Sequence, residues 1–234
     1  MRIGILTCGH FVKADGVPHR DYDQLYSDML AGHGLTFENW DVVDMDFPGS
    51  IHDAEGWLLS GSRHGAYEEL PFIPKLEEFV RSAYAAKVPM VGVCFGHQVM
   101  AQALGGTVEK FKGGWSAGLE TYDFDDGPMR LNAWHQDQVI KAPPKATTIA
   151  STDFCEHAAF VYEGPAFSVQ PHPEFEDGEL VTLLDIRAPG VVPDPLIADA
   201  KGHIGHGNDN AAMAKRIADF FKEAKDDGLA KEHT

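Results

Sequence analysis

The chain has 234 residues, 44% hydrophobic and 24% charged, enough to bury a sizeable core in one large domain or two small ones. Thirty-six acidic against nineteen basic residues leave a formal charge of −17, and the basic residues form no dense run. That balance disfavours nucleic acid and anionic membranes as partners and points to small molecules or proteins. No segment approaches the roughly 18 to 20 apolar residues of a membrane span. The apolar run in MRIGILTCGH is too short for a signal-peptide core, and three cysteines (Cys8, Cys94, Cys155) without a CxxC pair argue against a disulfide framework or zinc knuckle. A cytoplasmic location is the expectation.

Arg2 to Thr7 reads as a short buried strand. The helix after it carries Tyr22, Leu25, Tyr26, Met29 and Leu30 at i, i+3, i+4, i+7, i+8 spacing, with Asp21 as its cap. Leu35 to Val43 is read as a second strand and Gly56 to Leu59 as a third. A helix with Leu76, Phe79, Val80 and Ala83 on one face then precedes a strand over Pro89 to Val93. Strands alternating with helices predict a mostly parallel sheet covered on both faces, because parallel neighbours need crossover connections. Ligands then gather at the C-terminal ends of the strands.

Beyond Gly106 the texture changes. Leu119 to Phe124, Thr147 to Ser151, Ala158 to Tyr162 and Ala166 to Val169 read as short strands separated by Gly, Pro and Asp, which predicts an antiparallel extension. Helical spacing returns over Ala211 to Lys225 after the cap-rich Asn208-Asp209-Asn210, while Arg187 to Gly207 yields no clear element. With no internal repeat, low-complexity tract or linker, residues 1–234 are expected to form a single domain.

The stretch VGVCFGHQVMAQALGG, residues 91–106, puts Cys94 at the junction of a strand and a helix. A thiol there gains exposure at the sheet edge, nearby backbone N–H groups and the positive end of the helix dipole, all of which favour thiolate chemistry. Gly92 and Gly96 flank it as a sharp turn requires. Cys8 and Cys155 have no such surroundings and are read as buried, inert thiols.

A partner base is His172 in SVQPHPEF, residues 168–175. Pro171 and Pro173 restrict the backbone on either side of it, and Glu174, two residues on in an extended segment, can reach the imidazole's other nitrogen. The third element is WLLSGSRHG, residues 57–65. Glycine at 61 permits close backbone approach to a substrate, so the Gly61 and Phe95 amides are candidates for an oxyanion hole; an ordinary tight turn needs the same glycine.

These three motifs, GVCFGHQ, QPHPEF and LLSGS, resemble in order and content the class I, triad-type glutamine amidotransferase family, in particular its stand-alone branch of GMP-synthetase-amidotransferase-like and γ-glutamyl-peptidase-like proteins. The resemblance implies a flavodoxin-like α/β sheet with an added antiparallel region. It implies Cys94 as nucleophile, His172 as general base and then acid, Glu174 as the residue orienting it, and Gly61 and Phe95 as oxyanion donors. Gln98 would help hold the α-amino and α-carboxylate end of glutamine. Gly114, Trp115 and, within WHQDQV, His135 and Asp137 would wall the pocket. The implied reaction is hydrolysis of the γ-amide of glutamine through a γ-glutamyl thioester, with no cofactor or metal.

Family members commonly pass ammonia to a synthetase. The chain has no GxxxxGK[ST] phosphate loop and 60 residues follow Glu174, so a synthetase subunit in trans or independent hydrolysis of γ-glutamyl compounds are the two expectations. A non-catalytic binding protein of the same fold has no need for Cys94, His172 and Glu174 together. A related Cys-dependent fold, with His directly after the nucleophile, is disfavoured by Phe95. His97 is read as a packing residue of the turn, His203 and His206 as a solvated loop rather than a metal pair. The loop from His10 to Asp21, with Lys13, His19 and Arg20, is read as surface near the active-site edge.

Overall fold

The computed structural model describes residues 1–13, 15 and 20–232, with side chains described as far as Lys225. His19 lies outside the described residues. The elements, in order, are β1 (Arg2–Leu6), α1 (Tyr22–Met29), β2 (Thr36–Trp40), β3 (Gly56–Leu59), α2 (Phe72–Ala85), β4 (Met90–Val93), α3 (Phe95–Ala103), β5 (Thr107–Lys110), β6 (Ser116–Phe124) and β7 (Gly127–His135). There follow β8 (Asp137–Lys141), β9 (Ala146–Ser151), β10 (Ala159–Tyr162), β11 (Ala166–Val169), α4 (Asp177–Ile186), α5 (Asp194–Gly202) and α6 (Asn210–Glu232).

A nine-stranded sheet in the order β2-β1-β3-β4-β11-β10-β9-β6-β7 forms the centre. The β2-β1, β1-β3, β3-β4 and β4-β11 pairings are parallel, and the pairings beyond β11 are antiparallel. The expected α/β, flavodoxin-like sheet with an antiparallel region is what the chain forms. β3 and β4 are buried at every position, as strands covered on both faces must be. On one face Tyr22, Leu25 and Tyr26 of α1 pack with Met213, Ile217 and Phe221 of α6; on the other, Leu76 and Val80 of α2 pack with Phe95, Val99 and Met100 of α3.

Three strands, β5, β7 and β8, and two helices, α4 and α5, were not expected from the sequence. The second expected strand is also shorter: β2 stops at Trp40 and the chain turns through a 3₁₀ segment at Val42–Asp44. β6 pairs with β9 only at Asp123↔Ser151 and Phe124↔Ala150, whereas it pairs with β7 along its whole length, from Ser116↔His135 to Phe124↔Gly127. The β6-β7 hairpin is thus anchored at its tight end and free to diverge at the other. A single antiparallel bridge, Asn132↔His172, then ties β7 to the segment after β11. That bridge brings Trp134 and His135 to the C-terminal edge of the parallel strands, where Cys94, Gly61 and His172 also lie.

Candidate active site

Cys94 follows the last residue of β4 and caps α3, with φ 51° and ψ −103°. Such a backbone is costly for a residue with a side chain, of order 1–3 kcal/mol, and persists only when its surroundings enforce it. The surroundings are tight: a Cβ on Gly96 would lie 2.3 Å from the Leu59 carbonyl oxygen, and one on Gly92 would lie 2.5 Å from the Gly96 carbonyl oxygen. The flanking glycines therefore serve close approach of β3, β4 and α3, while the strained dihedral falls on the cysteine itself. The Cys94 N–H is fixed to the Val169 carbonyl at 2.9 Å and the Gly96 N–H to the Ser60 carbonyl at 3.1 Å. The Cys94 thiol is 4.0 Å from the Trp134 carbonyl. As the first residue of α3, Phe95 has an N–H without an intrahelical acceptor.

His172 is buried. Its backbone N–H donates to the Asn132 carbonyl at 2.8 Å, and its ring stacks on Phe175 with centroids 4.1 Å apart. Phe175 is held in turn, because its carbonyl accepts from the Asn132 and Asn210 side-chain amides at 2.8 and 2.9 Å. Nδ1 of His172 is 2.7 Å from Oε1 of Glu174. A carboxylate there accepts a hydrogen bond from Nδ1–H and leaves Nε2, which has no hydrogen-bond partner among the described residues, as the free end of the ring. Burial pushes the imidazole down, but the negative charges of Cys94 and Glu174 outweigh it and raise the group to about 10. A protonated imidazolium at His172 is the state that this balance favours at neutral pH. By contrast, burial pushes the thiols of Cys8 and Cys155 up to about 12, in keeping with their reading as inert.

Tyr26 adds a contact that sequence periodicity did not reveal. Its hydroxyl donates to the same Glu174 oxygen at 2.8 Å and accepts the Gly61 N–H at 3.3 Å. Burial, then the Glu174 charge, push the phenol well above its ordinary value, so it remains a donor. The Gly61 amide is thereby committed to Tyr26, which departs from the expectation that it faces a substrate oxygen. Gly61 also has no room for a side chain, since a Cβ there would lie 2.9 Å from both His172 Cε1 and the Tyr22 hydroxyl. Ser62, one residue on, lines the cavity instead.

A cavity of about 400 Å³ opens over Cys94, within the range of small-molecule sites. Gln98, Trp115, Trp134 and His135 form part of its wall. Gly114, at φ 102°, turns the chain just before Trp115 and is not itself on the wall. Gln98 Nε2 donates to the Asp137 carbonyl at 2.9 Å and to Gln170 Oε1 at 3.1 Å. With both amide hydrogens used, Gln98 can offer a ligand only its carbonyl oxygen, an acceptor suited to an ammonium. His135 is 3.3 Å through Nδ1 from the Asp137 carbonyl. Burial, then the neighbouring His172, lower it to about 3, so it faces the site as a neutral ring.

The other expected residues lie elsewhere. His97 is fully buried, with Nδ1 2.9 Å from Ser168 Oγ and its ring stacked on Phe160. His203 and His206 meet edge to face beside α5, and no metal-binding group of His, Cys, Asp and Glu occurs among the described residues. In the N-terminal loop, His10 bridges Asp21 at 2.7 Å and Asp44 at 3.0 Å, clear of the cavity wall. No helix among the described residues is long and apolar enough to cross a membrane.

Residues 21–183 match the family described as Glutamine amidotransferase class-I. The chain belongs to this family. Among its relatives is γ-glutamyl peptidase 3 of Arabidopsis thaliana, 27% identical over 202 residues that cover 77% of this chain and 79% of the relative. A glutamine-hydrolyzing GMP synthase subunit of Methanocaldococcus jannaschii is 33% identical over 134 residues, covering 53% of this chain and 67% of that one. The crystal structure of a glutamine amidotransferase from Thermotoga maritima superposes with a TM-score of 0.71 at 20% identity, covering 96% of this chain and 97% of that one, which establishes the shared fold.

Proposed function

We propose that this class-I glutamine amidotransferase chain hydrolyses γ-glutamyl amide bonds, with Cys94 as nucleophile, His172 as proton carrier and Glu174 as the carboxylate that orients it. One observation carries the reading. A thiol on a strained strand-to-helix turn opens into a cavity beside a buried imidazole whose far nitrogen is held by a carboxylate at 2.7 Å.

Cys94 thiolate attacks the γ-carbonyl carbon, and the resulting oxyanion lies against the amides of Phe95 and Ser62. Ser62 replaces Gly61 in this role because the Gly61 N–H is already taken by Tyr26. One such donor is typically worth about 3 to 4 kcal/mol of transition-state stabilisation. His172 then gives its Nε2 proton to the departing nitrogen as the C–N bond breaks, leaving a γ-glutamyl thioester and a free amine or ammonia. Water then attacks the thioester carbonyl and gives a proton to His172 Nε2, the C–S bond breaks, and the γ-carboxyl group leaves as glutamate while Cys94 is restored. Gln98 Oε1 accepts from the substrate's α-ammonium, and neutral His135 and Trp115 shape the wall.

Glutamine is the smallest substrate that fits this scheme, and γ-glutamyl peptides are the extended ones. Hydrolysis of glutamine on behalf of a synthetase subunit in trans has its support in the similarity to the glutamine-hydrolyzing GMP synthase subunit of Methanocaldococcus jannaschii. The test is incubation of the purified protein, alone, with glutamine and a panel of γ-glutamyl peptides, following ammonia and free amine. Turnover that disappears in Cys94→Ala supports the reading. Turnover that survives that substitution overturns it, and glutamine turnover that appears only on adding a synthetase favours the subunit role.

A further inference from the structure

The cavity over Cys94 departs from the electrostatic character of the rest of the molecule. The chain carries a net charge of −17, yet the charged side chains on this wall are Arg63, Lys110 and Arg187 against Glu68 and Asp137. Both acids already have partners. Glu68 accepts the Gly65 N–H at 2.8 Å and contacts His64 Nδ1 at 3.3 Å. Asp137 accepts the Tyr67 hydroxyl at 3.2 Å and is the group on which the Lys110 charge acts.

The two arginines are different. Arg2, Arg20, Arg81 and Arg216 each pair with a carboxylate, and Arg130 donates to the His206 carbonyl. Arg63 and Arg187 make no ion pair or side-chain hydrogen bond among the described residues, and both stand on the wall of this same cavity. In a chain with nearly two acids per base, guanidinium groups left without carboxylates beside a reactive thiol mark a place where an outside carboxylate belongs.

Glutamine brings one ammonium and one carboxylate, so it is neutral overall. A γ-glutamyl peptide brings a second carboxylate without a second ammonium, because the amine of the leaving residue is tied up in the bond to be cut. Its net charge of −1 balances a wall with one more cation than anion. We propose that Arg63 and Arg187 bind the carboxylate of the leaving amino acid. On that basis the preferred substrates are γ-glutamyl amino acids and peptides rather than glutamine or uncharged γ-glutamyl amides. The proposal rests on the hydrolase reading above. The balanced outcome for γ-glutamylglycine is one water consumed, with glutamate and glycine released.

The test compares γ-glutamylglycine with γ-glutamylethylamide, which lacks only the leaving-group carboxylate. In the wild-type protein the ratio of kcat/KM for the two is expected to exceed about tenfold, the range of one charge-assisted contact. In Arg63→Gln, Arg187→Gln and the double variant that ratio should fall toward one, chiefly through KM for γ-glutamylglycine. The proposal is overturned by a wild-type ratio near one, by a ratio retained in the double variant, or by equal losses on both substrates. Equal losses would assign the arginines to the α-carboxylate that both substrates share. Calorimetric binding of the same two compounds to Cys94→Ala, with and without the arginine substitutions, reads the same preference without turnover. A preference there that depends on Arg63 and Arg187 stands even if Cys94 proves not to be the nucleophile.

Discussion

Tyr26 donates its hydroxyl proton to Glu174 Oε1, 148 residues away in the chain, at 2.8 Å. The same hydroxyl receives the Gly61 N–H. One buried phenol thus ties the carboxylate behind His172 to the turn after β3, so that the acid, the imidazole and the Gly61 backbone are fixed relative to each other. Tyr26 itself touches none of the reacting atoms, and its role is positional.

Tyr26→Phe should therefore separate orientation from binding. Loss of a hydrogen bond to a charged group is worth about 1.5–3 kcal/mol, or a fall in kcat of about 10- to 160-fold. KM should change little. Steady-state kinetics on γ-glutamylglycine and a urea melt check both: a stability loss without the kcat effect would leave Tyr26 as a packing residue only.

His172 should titrate far above an ordinary histidine. Its folded value of about 10 exceeds the usual 6.5, so its contribution to stability is complete below about 6.5 and is lost as pH rises toward 10. The Cys94 charge is a principal cause of the elevation. In Cys94→Ala the ring should titrate at lower pH than in the wild type, as NMR of the His172 ring protons would reveal. An unchanged titration in the variant would remove the thiolate from the explanation.

Gly96→Ala tests whether the turn is built by close approach. The added Cβ would meet the backbone oxygen of Leu59 at 2.3 Å, and backbone cannot swing aside as a side chain can. Overpacking of this kind costs about 1–3 kcal/mol, equivalent to roughly 2–12 °C in Tm for a chain of this length. Differential scanning calorimetry gives the answer, and an unchanged Tm would mean that β3 and α3 have room to part.

Much of this site was legible in the sequence because its chemistry sits in short local motifs. Cys94 stands where the apolar run of β4 meets the start of α3, and His172 and Glu174 share one extended segment. The parallel half of the sheet was legible for the same reason, with buried strands alternating with amphipathic helices. What escaped depends on distant partners. Tyr26 reads as one more apolar position on α1, and only the fold brings Glu174 to its hydroxyl. β7 opens with Gly-Pro and contains Asn132, residues depleted in strands, yet it carries the bridge that locks His172. α5 buries only Ala200, so it offers no apolar stripe to read, and Arg187, which directly follows α4, opens the segment that yielded no clear element.

The central claim is that Cys94 forms a γ-glutamyl thioester with substrate. Intact-protein mass spectrometry of acid-quenched reactions tests it most directly. During turnover of γ-glutamylglycine the protein should gain the mass of one glutamyl group, mapped by digestion to the peptide that contains Cys94. The adduct should vanish in Cys94→Ala together with release of glycine. Continued release of glycine by that variant, or an adduct mapped to Cys8 or Cys155, would contradict the account.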